Sequence, residues 1–285
     1  MTTRKAKFKK VLQWVLKISL SIFALYLVYK KIDHQLFLAI VKNVDWIWLI
    51  PAFLLFNISK VFSAIRLKGL LNNIGIKINH QENLQLYYQG MFYNLFLPGG
   101  IGGDAFKTYV LNKGNEIPLK KIIGTILYDR ISGLIVLVSI ASLFAFITLT
   151  EFKILFVLLL IGSVPVGYLF TLLIFPSHKK NYLQSQFYSL AVQLSQVLSV
   201  ILILKALQIK FILYFNYLFL FMISSIASVI PVTIGGAGAR ELVFLYGEKI
   251  MNTSIESGIA VGLLFFLITA VSSFAGIIMK PKLNS

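Results

Sequence analysis

The sequence predicts an all-α, polytopic helical integral membrane protein, and three observations carry that reading. Of its 285 residues 58% are hydrophobic, against ~45–50% in soluble domains, and the mean hydropathy is +0.84. Several uninterrupted apolar runs reach about twenty residues, enough to cross a ~30 Å hydrocarbon core as helix. The alternation over ~10-residue segments that marks a transmembrane barrel is missing. We expect one transmembrane domain over 1–285, with about eight transmembrane helices and re-entrant or broken segments near 84–112 and 231–250.

Composition also removes whole classes of chemistry. Zero cysteines exclude disulfides, thiolate metal sites and cysteine nucleophiles. His34, His80 and His178 are scattered near segment ends without a partner at ligand spacing, so neither a metal site nor a cofactor is expected. A net charge of +17 would suggest nucleic acid in a soluble protein. Here the positive-inside tendency and anionic lipid headgroups account for it, so membrane lipids are the expected partners and nucleic acid is not. The first apolar run is long and lacks a small-residue cleavage pattern, so no signal peptide is expected.

In chain order, Arg4, Lys5, Lys7, Lys9 and Lys10 hold the amino terminus in the cytoplasm. The first span covers Val11 to Tyr29, with Lys17 snorkelling. Asp33, His34 and Asp45 fall in a short external loop, and Trp46 and Trp48 mark an interface. The second span runs from there to about Ile65, containing Asn57 and a snorkelling Lys60, and returns to a basic loop with Arg66, Lys68 and Lys77. A broken element occupies Leu84 to Asn112. Its first arm ends at about Leu97, since proline and glycine terminate helices. From Leu84 that arm rises only ~21 Å, which reads as a re-entrant hairpin from the cytoplasmic side, with a full crossing as the alternative.

The next span is Ile131 to Thr150, with Tyr128, Asp129 and Arg130 at its inner end. Ile154 to Phe175 returns after a tight external turn and carries Pro165 as a kink. Gln186 to Leu204 and Phe211 to Ile230 follow. Glu241 to Ile250 is a short helical piece, and Ser257 to Met279 is the last span. If the short piece crosses, there are about eight passes and both termini are cytoplasmic.

Two glycine- and proline-rich breaks resemble each other. Pro98, Gly99, Gly100, Gly102 and Gly103 precede Asp104 and Lys107; Pro231, Gly235, Gly236 and Gly238 precede Arg240 and Glu241. Pro98, Ile101, Gly102, Gly103 and Lys107 each have a counterpart 133 residues later, at Pro231, Ile234, Gly235, Gly236 and Arg240. Paired interruptions of this kind point to a transporter's substrate site and to two pseudo-repeat halves, 1–150 and 151–285. Inverted and parallel relations remain open.

Charge at membrane depth costs from ~2.5 to more than 10 kcal/mol, so such residues tend to be partnered and functional. The candidates are Asp104, Lys107, Asp129, Arg130, Arg240 and Glu241, with Asn94 beside the first break. Helix starts behind the glycines would add bare N–H groups that cradle phosphate oxygens, with Arg130 and Arg240 gripping bidentately. Asp104 and Glu241 would hold an ammonium or balance the bases. The plainer alternatives are interface roles for Asp129 and Arg130, an anchoring role for Lys107, and packing roles for Tyr87, Tyr88, Phe92, Tyr93 and Phe96.

Three blocks resemble the integral-membrane domain of the lysylphosphatidylglycerol synthase/flippase family: Gly90-x-x-x-Asn94-x-x-Leu97-Pro98-Gly99 through Gly103-Asp104-x-x-Lys107; Asp129-Arg130; and Pro231 through Gly235-Gly236-x-Gly238-x-x-Glu241. The resemblance implies an eight-span phospholipid-translocating domain of a bacterial inner membrane, which in bifunctional members moves aminoacylated phosphatidylglycerol. Asp129 stands where the family usually has glutamate, and no aminoacyl-transferring domain is present in this sequence. Two alternatives stand beside a flippase-like transporter. One is a membrane-embedded transferase acting on a lipid-linked substrate, with Asp104 or Glu241 as base, although no catalytic constellation stands out. The other is a partner subunit of a separate lipid- or glycan-modifying enzyme.

Overall fold

The computed structural model describes residues 33–96, 102–113, 115–229 and 238–279, together with Tyr26, Tyr29 and Lys30. The expected first span, including Lys17, lies outside these residues apart from Tyr26 and Tyr29. Among the described residues there are ten α-helices and no strands, and six helical segments are long and apolar enough to cross a membrane: 46–72, 119–148, 153–174, 176–206, 211–229 and 255–278.

The expected external loop at Asp33 and His34 is instead a short helix, α1 (His34–Lys42). The Asp33 carboxylate accepts from the backbone N–H of Gln35 and Leu36 at 2.9 and 3.0 Å. This satisfies two of the donors a helix start leaves bare, and makes the helix viable.

The long helix α2 (Leu49–Asn72) packs along α7 (Tyr182–Ala206) in the most extensive contact of the bundle. Ser199 Oγ donates to the carbonyl of Ala52 at 2.9 Å, near the start of α2 and the end of α7. Arg66 donates to Ser189 Oγ at 2.8 Å, where the ends are reversed. The two helices therefore run antiparallel. Buried Ala52, Ser59, Ser63, Ser185, Ser189 and Ser199 line the seam, and small side chains let membrane helices approach closely.

Between α2 and α7 come α3 (His80–Phe96), α4 (Gly102–Lys113), α5 (Leu119–Thr148) and α6 (Lys153–Ile174). α3 and α4 form an antiparallel hairpin: Tyr93 stacks on Phe106 with ring centroids 4.3 Å apart, and Gly103 sits against the backbone of Gly90. α3 ends one residue before the expected Leu97, and the chain leaves the hairpin at the end it entered. A second hairpin joins α8 (Tyr214–Val229) and α9 (Ala239–Met251). Asn216 Nδ2 reaches the carbonyl of Met251 at 2.7 Å, while Arg240 reaches Ser228 at 3.3 Å near the tip. α10 (Ile255–Ile278) closes the bundle, its start capped by Ser254 Oγ on the Ser257 N–H at 3.1 Å.

One boundary departs strongly from expectation. α5 begins at Leu119, so Asp129 and Arg130 lie well inside a 30-residue helix rather than at its inner end. Both acquire partners there, which removes the reason to place them at the interface. The core is a cluster that includes Phe56, Phe221, Phe244 and Phe265. α6 leaves Ile154, Leu158, Ile161, Val166 and Leu173 exposed, as a lipid-facing helix does.

Candidate functional site

The deepest ionic contact joins α2, α5 and α7. Arg66 Nε lies 2.8 Å from the Asp129 carboxylate, with side-chain exposures of 6% and 7%. The other end of the guanidinium donates to Ser189 Oγ at 2.8 Å, and the Ser189 hydroxyl in turn donates to the carbonyl of Ser185 at 2.8 Å. Gly133 keeps room for the group, because a Cβ there would stand 3.1 Å from Arg66 Nη1. Arg66 was expected in a basic loop. It belongs to α2, whose helix continues seven residues past Ile65.

A second ion pair is built across α4 and α5. Asp104 occupies the first turn of α4 and binds Arg130 Nε, with Lys107 Nζ 4.0 Å from the same carboxylate. These side chains are more open than the first pair, at 19% for Asp104 and 28% for Arg130. They line a groove of about 700 Å³ whose walls include Ala105, Thr108, Leu127, Leu134 and Val229. Val229 ends α8, so both hairpins border the groove. Behind Asp104, Asn94 Oδ1 accepts from the Gly103 N–H at 2.7 Å. That hydrogen bond caps the start of α4 and holds the hairpin shut.

Further in lies a set of cations. Lys107 is buried, its Nζ 4.1 Å from the centroid of Tyr87. Lys60 Nζ stands 4.3 Å over Phe56, Phe56 packs edge-on against Phe265 at 5.4 Å, and the Arg240 guanidinium lies 5.7 Å from that same ring. Lys60, read as a snorkelling residue, is half-buried in the middle of α2 among these groups. Arg240 donates to Ser228 Oγ at 3.3 Å, and its buried Nε has no hydrogen-bond partner among the described residues.

The two acids that accompany the breaks do different work. Asp104 meets a base, whereas Glu241 turns back and accepts from the Gly238 N–H at 2.7 Å. Gly238 has φ +86°, a conformation open to glycine and strained for other residues. Asp104, Lys107 and Arg130 are brought together, and Arg240 joins the inner cations. Asp129 is taken by Arg66, while Asn94 and Glu241 cap helices. Gly102, Gly103 and Gly238 sit at helix starts; Pro98, Gly99, Gly100, Pro231, Gly235 and Gly236 lie outside the described residues. Sequence reasoning passed over Arg66 and Lys60 as site residues, although both stand in an otherwise apolar run, which was the available signal.

A family model described as the lysylphosphatidylglycerol synthase TM region matches residues 14–182 and 175–276. A protein of Archaeoglobus fulgidus described as a UPF0104 membrane protein is 29% identical over 115 residues, which is 40% of this chain. The aligned stretch spans 34% of that protein's length.

Proposed function

The chain belongs to the lysylphosphatidylglycerol synthase TM region family, and from that premise we propose that it is a flippase-like transporter. Its cargo is a phospholipid with a polar headgroup, of which aminoacylated phosphatidylglycerol is one form. It works in a bacterial inner membrane with both termini cytoplasmic. The groove ending on Asp104 and Arg130 carries this reading. Its walls are almost wholly apolar and suit acyl chains, and the ion pair at its end suits a charged headgroup. A lipid phosphate would take Arg130 from Asp104, and an ammonium on the same headgroup would take Asp104 from Arg130. A zwitterionic headgroup replaces both partners at once, so neither side chain is left buried and unpaired.

A leaflet assay tests the proposal. Proteoliposomes carrying acyl-labelled fluorescent phosphatidylethanolamine, whose headgroup holds both a phosphate and an ammonium, are bleached from outside, and the protected fraction reports transfer between leaflets. Asp104→Asn and Arg130→Gln each remove one charge-assisted contact, so transfer slows by about tenfold or more. Transfer by both variants at the rate of the parent protein overturns the assignment of this site.

A further inference from the structure

The displacement of 133 residues that relates Lys107 to Arg240 also carries α2 onto α7 and α3 onto α8 to within one residue at either end, and α5 onto α10 to within three. α6 has no such counterpart among the described residues. It lies in the angle between α5 and the start of α7. Ser163 pairs with Ser139, Thr171 Oγ1 stands 3.1 Å from Tyr128 Oη, and the Tyr182 hydroxyl donates to the carbonyl of Val164. Gly167 sits against Ile135 and Tyr182.

The corresponding angle, between α10 and the start of α2, is a recess of about 610 Å³ lined by apolar side chains. Its walls include Ile268 and Leu49, the residues that the same displacement assigns to Ile135 and Tyr182. Ile50 and Val271 lie exposed on it. The chain also arrives at the matching end. α6 finishes near the start of α5, with the rings of Phe175 and Tyr128 5.1 Å apart. Asp33 likewise stands at the start of α10, where its N–H donates to the Glu256 carboxylate at 3.2 Å, and α1 packs against that helix. The apolar run from Val11 to Tyr29 precedes Asp33 with three residues between them. As a helix it would reach ~28 Å, and the recess walls from Leu264 to Val271 lie ~14 to 24 Å along α10 from its start.

We propose that Val11 to Tyr29 packs in this recess, antiparallel to α10, as the counterpart of α6, and that the two halves of the chain are inverted versions of one unit. α1 is then an insertion at the place where the second half has only the turn Pro176–Asn181. Lipid tails are as apolar as these side chains, so contact area alone favours neither lipid nor helix. The tether decides. A run joined to Asp33 by so short a link is held beside the recess at a roughly millimolar effective concentration, which a separate partner would have to supply by itself. Nothing in this packing depends on whether the protein moves lipid.

The chain has no cysteine, so introduced pairs report contact without background. In membranes holding the full chain, Leu267→Cys, on the recess wall, is combined in turn with Val15→Cys, Leu16→Cys, Lys17→Cys, Ile18→Cys and Ser19→Cys. Each pair is oxidised with copper phenanthroline, and linked peptides are read by mass spectrometry after digestion. Ser139→Cys/Ser163→Cys, whose hydroxyls touch, sets the yield of a true helix contact. Leu173→Cys, exposed on α6, replaces Leu267→Cys to set the yield of a lipid-facing position. Linkage within one chain that reaches the control pair and recurs every three to four residues supports the packing. Yields at every position no higher than with Leu173→Cys leave the recess to lipid and overturn it. Linkage between two chains assigns the recess to a second copy and overturns it too.

Discussion

Neutralising Asp129 is the sharpest test of how this bundle handles charge. The Arg66–Asp129 contact at 2.8 Å, with exposures of 6% and 7%, has little water to screen it. Taking an effective dielectric of about 20 and charge centres about 4 Å apart, the attraction is about 4 kcal/mol. That agrees with the 3–5 kcal/mol expected, at order of magnitude, when one partner of a buried pair is removed. In Asp129→Asn the guanidinium keeps its charge and its bond to Ser189 but loses its anion, so we expect destabilisation of about 3 kcal/mol or more.

The double variant Arg66→Met/Asp129→Leu separates pairing from mere packing. It removes both charges and fills the space with apolar atoms, so it should recover to within about 1 kcal/mol of the parent. Reversible unfolding in mixed micelles, followed by helical circular dichroism, measures all four corners of the cycle. A coupling energy below about 0.5 kcal/mol would falsify the reasoning, since contacting charged residues must couple. Asp129→Asn as stable as the parent would do the same.

Other expectations follow from the hairpins. Gly103→Ala places a methyl on the carbonyl of Gly90, so the hairpin must part, and destabilisation of about 2 kcal/mol or more is expected; Gly69→Ala, with nothing within 4 Å of the new carbon, should stabilise slightly in the same unfolding assay. Asn94→Ala frees the Gly103 N–H bound at 2.7 Å and should cost about 1–3 kcal/mol. Hydrogen exchange rising at the start of α4 but not in α9 would localise it. Glu241→Ala removes the acceptor at the Gly238 N–H and should cost about 0.5–2 kcal/mol, with faster exchange confined to α9.

How much could be read from the chain beforehand depends on what each residue had to do. Apolar runs end where solvent begins, and α6 and α10 agree with expectation within two residues at either end. Proline and glycine after Phe96 stop a helix by backbone chemistry alone, so the end of α3 was legible too. Where a charge lay inside a helix, hydropathy mistook it for the helix's end. Asp129 and Arg66 were both assigned to boundaries, because their compensation comes from each other, 63 residues apart in the chain. No local pattern carries that pairing. α1 was missed for the opposite reason: its cap, Asp33, looks like any polar loop residue until its carboxylate meets two N–H groups.

The two ion pairs differ in burial, and that difference assigns their roles. Arg66 and Asp129 are sealed between three helices, so separating them would leave two charges in a medium that cannot solvate them. Such a pair fixes α5 against the α2–α7 seam and does not exchange partners. Asp104 and Arg130, at 19% and 28% exposure, line a groove and are open enough for a headgroup, on the proposed reading, to arrive before the pair opens. On the proposed transport reading, exchange there would proceed through a state in which each charge keeps a partner. Lys107 lies behind the groove pair, its Nζ 4.0 Å from the Asp104 carboxylate and 4.1 Å from the centroid of Tyr87.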